Sequence, residues 1–203
     1  MNIKLHSHPA STFARRVRIY MAERNLDFPL EYVAMERLAH KRKEYVEMNP
    51  YGKVPVLEVD DKFLYESLAI IDFLENTFDE NSMLPKNAFL RAQTRMLCGI
   101  CDTEFANNVT PYFFAKRFLS EDKWDIHGFG KVLKRLKRHF KILSNQLGDK
   151  EYMIDGKFGL VEICYAPYLE FHHFLDITMP QNIVSWHNNF KKRKSVEETK
   201  PQQ

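Results

Sequence analysis

The chain has 203 residues, 44% of them hydrophobic, and a formal net charge of +3 at neutral pH. That is enough apolar material for one large or two small domains, and so mild a charge gives little reason to propose a nucleic-acid partner. Three cysteines, Cys98, Cys101 and Cys164, argue against a disulfide framework and fit a reducing compartment. No apolar run approaches the length of a membrane span. The opening MNIKLHSHPASTF has no apolar signal core, so the sequence reads as cytoplasmic, with no membrane partner.

In chain order, Ile3 to Leu5 reads as a short strand and His6 to Thr12 as a loop containing Pro9. Phe13 to Asn25 is helical, with Phe13, Val17, Met21 and Ala22 on one side. Phe28 to Val33 is a second strand entered through Pro29, and His40 to Met48 a short polar helix. Asn49-Pro50 and Tyr51-Gly52 form a turn cluster. Val54 to Val59 is a mostly apolar strand, Asp60-Asp61-Lys62 a polar turn, and Phe63-Leu64 the start of the returning strand of a hairpin. After Glu66-Ser67 the period changes. Leu68, Ile71, Leu74 and Phe78 fall three or four apart, which is a helix with one buried stripe.

Two features of this stretch bear on chemistry. Pro55 at the start of a strand removes a ladder bond, and a cis peptide there would turn the Val54 backbone outward, free to pair with an extended ligand. Glu66 and Ser67 lie where a strand hands over to a helix, whose free N–H groups and dipole favour a bound carboxylate. A strand edge beside an anion site suits a small peptide with a free carboxylate.

Beyond Thr77 the residues Asp79, Glu80, Asn81, Ser82 and Pro85 have linker composition. The rest reads as helices: one stretch from Phe89 to Leu119 bent near Pro111, and another from Phe129 to Leu147 ended by Gly148. Gly159 is an acceptable helix cap, and Phe158 and Ile163 are placed for a hydrophobic staple.

NPYGKVPVL followed by ESLAIIDFL resembles the glutathione-binding half of the cytosolic glutathione S-transferases, whose Asn-Pro, Gly-Lys, Val-Pro and Glu-Ser-x-Ala-Ile elements appear here in order. The resemblance is strongest at Asn49–Leu74 and weakest at Arg91–Leu147. It implies a thioredoxin-like domain at residues 1–78, a linker at 79–88 and an all-helical domain at 89–203. It also implies glutathione as co-substrate, no metal, a small electrophilic second substrate and a homodimer, for which Tyr65 and Phe78 look like exposed aromatics.

Residue by residue, the resemblance matches Ser11 to the catalytic hydroxyl that holds the glutathione thiolate, with Thr12 the alternative donor. The plain reading of either is a helix cap. It matches His40 and Lys53 to groups near the glycine carboxylate of glutathione, Val54 and Pro55 to the edge that pairs with its backbone, and Glu66 and Ser67 to the receivers of its γ-glutamyl end. Tyr112 and Phe113 fall in the region that lines the electrophile site in the family, although an aromatic cluster is as easily core. Cys98 and Cys101 form a CxxC placed mid-helix, which reads as structural. Lys131 to Lys141 carries seven basic positions if His139 is counted and reads as a solvated helix face. The competing function is a non-catalytic interaction module of the same fold, as in the stringent-starvation protein and certain translation-factor domains. Ser11, His40, Glu66 and Ser67 together favour the enzyme.

Overall fold

A computed structural model of the chain describes residues 1–201. The chain divides into two compact units, Met1–Met83 joined by the chain from Lys194 onward, and Leu84–Arg193.

The first unit is a four-stranded mixed sheet with helices, a thioredoxin-like arrangement. Strand β1 (Ile3–Ser7) leads into helix α1 (Thr12–Glu23) and strand β2 (Leu30–Tyr32). Two 3-10 turns (Met35–Arg37 and Ala39–Lys41) and helix α2 (Lys43–Met48) follow, where the sequence suggested one helix from His40. The hairpin of β3 (Val56–Val59) and β4 (Lys62–Tyr65) then feeds helix α3 (Ser67–Thr77). The order across the sheet is β2-β1-β3-β4, with β1 and β2 parallel and the other pairs antiparallel. β3 begins at Val56 and not at Val54, because Pro55 has no N–H to give the ladder. Asp60 closes the hairpin with φ 52°, a left-handed position that aspartate tolerates, and its carboxylate takes the Asn2 N–H at 2.9 Å.

Helix α1 is buried over more of its circumference than its apolar stripe foretells. Arg15 and Arg16 are almost wholly buried, while Ala22 is exposed. The reason is the returning end of the chain. Helix α9 (Lys194–Glu198) packs on α1, and the Arg15 guanidinium donates to the Val196 carbonyl at 2.9 Å and to Thr199 Oγ1 at 3.4 Å. The resemblance groups 194–203 with the helical domain, whereas these contacts join residues 194–199 to the first unit. On the same unit Arg24 forms a buried ion pair with Glu75 at 2.7 Å and donates to the Glu80 carbonyl at 2.6 Å, which ties the end of α3 and the chain beyond it to α1. Phe78 is half-buried with its ring 5.5 Å from Phe28, and Tyr65 is half-buried beside the core, so neither is the exposed aromatic that the sequence suggested.

The second unit is all-helical: α4 (Ala88–Ile100), α5 (Asn107–Phe118), α6 (Ile126–Leu147), α7 (Leu160–Leu169) and α8 (Gln181–Lys191). Between α4 and α5 the chain makes a π turn over Cys101–Ala106, so the break in the long helical stretch falls one turn ahead of Pro111. A proline ring crowds the carbonyl four residues back, here Asn107, where the wider turn ends. Helix α6 starts earlier than its apolar stripe, at Ile126, because the Asp125 carboxylate caps Gly128 N–H at 2.9 Å.

The core of this unit is aromatic, and His139, Tyr165 and Glu162 are held there by hydrogen bonds. His139 is stacked on Phe105 and Tyr165 and bonds the Tyr165 hydroxyl through Nε2 at 3.0 Å. Burial pushes its pKa down to about 4. His139 therefore does not belong to the basic face where sequence spacing counted it. Glu162 receives the N–H of Met153 at 2.8 Å, of Gly159 at 3.0 Å and of the Trp186 indole at 2.9 Å. That is half a capping box, since glycine has no side chain to return the bond. Cys98, Cys101 and Cys164 are buried thiols in this interior.

Candidate active site

The strand register gathers the expected residues of the first unit at one end of its sheet. His6 on β1 pairs with Val56 on β3, and Val56 pairs with Tyr65 on β4. β2 runs parallel to β1, so its Tyr32 end lies there too. The chain leaves β1 toward Ser11, enters β3 through Val54-Pro55, leaves β4 into Glu66-Ser67, and leaves β2 toward His40. All four connections therefore fall at the same sheet end.

Ser11 is the N-cap of α1, and its hydroxyl oxygen accepts the Ala14 N–H at 3.2 Å. Capping uses the oxygen lone pairs and leaves the hydroxyl proton to donate elsewhere, since a serine hydroxyl is one donor and two acceptors. The cap and a donor role are compatible at this residue. Thr12 is the first helical residue. Arg18 holds the loop ahead of the cap by donating to the Pro9 carbonyl at 3.1 Å. Burial, and then Arg15 beside it, bring the Arg18 pKa down to about 10.

The Val54–Pro55 peptide is cis. The Val54 side chain is buried, and among the described residues neither its N–H nor its carbonyl takes a hydrogen bond. The loop before it is tightly held. Asn49 Nδ2 donates to the Lys53 carbonyl at 2.8 Å, and the Tyr45 hydroxyl donates to the same carbonyl at 3.0 Å. Lys41 donates to the Gly52 carbonyl at 2.9 Å. Gly52 has φ +55°, and a Cβ there would meet the His40 carbonyl at 2.6 Å, so only glycine fits. The Lys53 side chain is exposed. Tyr45, Lys41 and Asn49 were not singled out from sequence; the Asn-Pro and Tyr-Gly turn cluster was the visible trace of this support.

Helix α3 begins differently from α1. Its N-cap, Glu66, is exposed, has φ 71° and ψ 115°, and makes no capping bond. Positive φ is uncommon for a non-glycine residue, and such a position is held only when its surroundings over-determine it. The first intrahelical bond is Ile70 N–H to the Glu66 carbonyl at 3.0 Å. The N–H groups of Ser67, Leu68 and Ala69 thus open the helix with no capping side chain. Ser67 is buried as the first helical residue, so its hydroxyl is not the N-cap of α3.

His40 is half-buried, and its Nδ1 is shielded from water without a hydrogen-bond partner. Burial, followed by electrostatic repulsion from Lys41 and His8, lowers its pKa. His8 lies 3.5 Å from Glu36 and stacks at a tilt on Tyr32. Strand β1 runs two residues past the Leu5 end that the sequence suggested, and its last residue, Ser7, also has a buried hydroxyl without a partner.

Tyr112 and Phe113 belong to the interior of the helical unit. They are 1% and 5% exposed, and the Tyr112 hydroxyl donates to Asp176 at 2.9 Å and to the Phe174 carbonyl at 3.0 Å. Burial and Asp176 raise the Tyr112 pKa. The solvent-facing aromatics of α5 are Phe114 and Phe118, packed ring to ring at 5.2 Å. No group of metal-ligating side chains occurs among the described residues, and none of the described helices is long and apolar enough to cross a membrane.

Comparison with known proteins agrees with this architecture. The glutathione S-transferase N-terminal domain family matches residues 10–77, and the glutathione S-transferase C-terminal domain family matches residues 129–194. Glutathione S-transferase U24 of Arabidopsis thaliana is 30% identical over 203 residues, covering 95% of this chain and 87% of its own. A maleylacetoacetate isomerase of Pseudomonas aeruginosa is 27% identical over 176 residues, covering 82% and 80%. Among solved structures, glutathione transferase F2 of Populus trichocarpa superposes with a TM-score of 0.87 at 20% identity, over 97% of this chain and 96% of that one.

Proposed function

We propose that this chain, which belongs to the glutathione S-transferase family, activates the thiol of glutathione in the cytoplasm, as a homodimer, for attack on a small electrophile. Alternatively, the same thiol serves a glutathione-dependent isomerisation; one relative is named an isomerase. Ser11 donates a hydrogen bond from its hydroxyl to the sulfur, which favours loss of the thiol proton to water and holds the thiolate. The thiolate then forms a bond to an electrophilic carbon, whose leaving group departs with the bonding electrons. Thr12 is the alternative donor. The cysteine backbone of glutathione pairs with the unbonded N–H and carbonyl of Val54 beside Pro55. The γ-glutamyl carboxylate lies at the open start of α3, on Ser67 and beside Glu66. The glycine carboxylate is held by His40 and the exposed Lys53, and its negative charge raises the lowered His40 pKa on binding.

The observation that carries this reading is the division of labour at Ser11: its oxygen caps Ala14, and its O–H is left to donate a hydrogen bond. A donor to the thiolate favours the charged form, so it lowers the thiol pKa from about 8.5. The test is thiolate absorbance of the glutathione complex against pH, in wild type and in Ser11→Ala. The expected result is an alkaline shift in the variant with little loss of affinity. Thr12→Ala abolishing activity while Ser11→Ala keeps it reassigns the donor. Failure of wild type to bind glutathione at all favours the interaction module.

A further inference from the structure

The outer face of α6 breaks a local rule of helix stability, and nothing among the described residues compensates for it. Lys131, Lys134, Arg135, Lys137, Arg138 and Lys141 are all exposed, and at about 100° per residue they occupy an arc of about 160° over about 15 Å of helix. Lys131 faces Lys134 and Arg135 one turn on, Lys134 faces Lys137 and Arg138, and Lys141 faces both of the latter. Like charges at these spacings destabilise a helix. No acidic residue occurs between Asp125 and Asp149. Among the described residues the only polar side-chain partner of these cations is neutral: Arg135 donates to Asn108 Oδ1 at 3.0 Å. Elsewhere the chain does pair its helical lysines, as in Lys43 with Glu47 and Lys194 with Glu198. The charge is also segregated. Over residues 84–193 Lys and Arg outnumber Asp and Glu by 17 to 11, whereas in the remainder they are outnumbered 13 to 16.

We propose that this face of α6 is a docking surface for a bilayer carrying anionic phospholipid. Charge complementarity calls for a polyanion, and three observations favour a lipid surface over a nucleic acid. Ile142, 52% exposed, stands within the cationic arc, where an interfacial layer accommodates it and a phosphate groove does not. Between Lys131 and Ile142 the arc carries no aromatic side chain on which a base could stack. Helices α5 and α8 and the π turn pack along α6, so only its outer side is free. A flat sheet of headgroups meets that side, whereas a groove must receive a protruding helix. The attachment is electrostatic and peripheral, with no helix inserted.

The test is co-sedimentation of the full chain with vesicles of phosphatidylcholine alone and of phosphatidylcholine mixed with phosphatidylserine. Binding to the mixed vesicles only, weakening as salt is added, is expected. Each cation near such a surface contributes about fivefold in affinity, so K134Q/R138Q/K141Q should lose binding on the order of a hundredfold. The melting temperature of that variant should equal or exceed the parent's, because repulsion within α6 is relieved. K62Q/K86Q/K123Q removes the same net charge elsewhere and should bind nearly as the parent does. Absence of binding to the anionic vesicles overturns the proposal, as does an equal loss in both triple variants. Tighter binding to duplex DNA or RNA than to the vesicles at the same salt also overturns it, and assigns the face to nucleic acid.

Discussion

The candidate-site end of the sheet and the core around Glu162, His139 and Tyr112 treat their buried polar groups in opposite ways. In the helical unit, Glu162 takes three donors, His139 and Tyr165 close on each other, and Tyr112 is held by Asp176 and a carbonyl. In the sheet unit, His40 Nδ1 and the Ser7 hydroxyl are buried without partners, Val54 offers an unbonded backbone, and α3 starts uncapped behind a left-handed Glu66. An unsatisfied buried polar group costs about 1–3 kcal/mol. Several of them at one sheet end represent stability given up where a ligand can restore the bonds. The bonded polar groups around Glu162, His139 and Tyr112, by contrast, serve their own core. Substitutions in the two places should therefore be read out by different measurements.

The largest stability effect is expected at Glu162. Glu162→Leu leaves the Met153 and Gly159 N–H groups and the Trp186 indole without their acceptor, a loss of roughly 3–9 kcal/mol at 1–3 per orphaned donor. Glu162→Gln, which keeps a carbonyl acceptor, should lose much less in chemical denaturation. If both variants unfold at the parent's midpoint, the bonds to Glu162 contribute little, and that contrast fails.

Ser11→Ala should show the opposite pattern. Removal of one preorganised donor typically lowers turnover about 10²–10³-fold, while loss of the cap costs only about 1 kcal/mol of stability. Steady-state kinetics together with thermal melts separate the two. A variant that is destabilised yet fully active would make Ser11 a cap and nothing more.

His139 links the helical unit to pH. Its folded pKa of about 4 lies below the ordinary histidine value of 6.5. The unfolded chain therefore binds the proton first as pH falls, and stability is lost between pH 6.5 and 4. The full shift corresponds to about 3 kcal/mol at 1.36 per unit. The melting temperature should decline over that window in the parent and stay flatter in His139→Phe. Identical slopes would sink the assignment.

The smallest effect is at Ser67. Ser67→Ala removes one charge-assisted bond to the proposed carboxylate, worth about 1.5–3 kcal/mol, so glutathione affinity measured by calorimetry should fall tenfold or more with the fold intact. Unchanged affinity would move the carboxylate away from α3.

Much of this molecule is written in short-range signals. The strand-turn-helix order of the sheet unit, the Pro55 strand start and the period change at Glu66-Ser67 each depend on residues within a few positions of one another, and local backbone preference and side-chain period suffice to reveal them. The helical stripe of α6 was legible for the same reason. What could not be read locally was decided by partners far along the chain. Arg15 is buried because Val196 and Thr199 return from the other end of the sequence to accept its bonds. His139 leaves the basic face because Phe105 and Tyr165 receive it. Tyr112 and Phe113 pack inward while Phe114 faces solvent, a choice that adjacent aromatic residues do not reveal by composition. Register alone carries Ser11, Val54, Ser67 and His40 to one end of the sheet, and register is a pairing of distant strands.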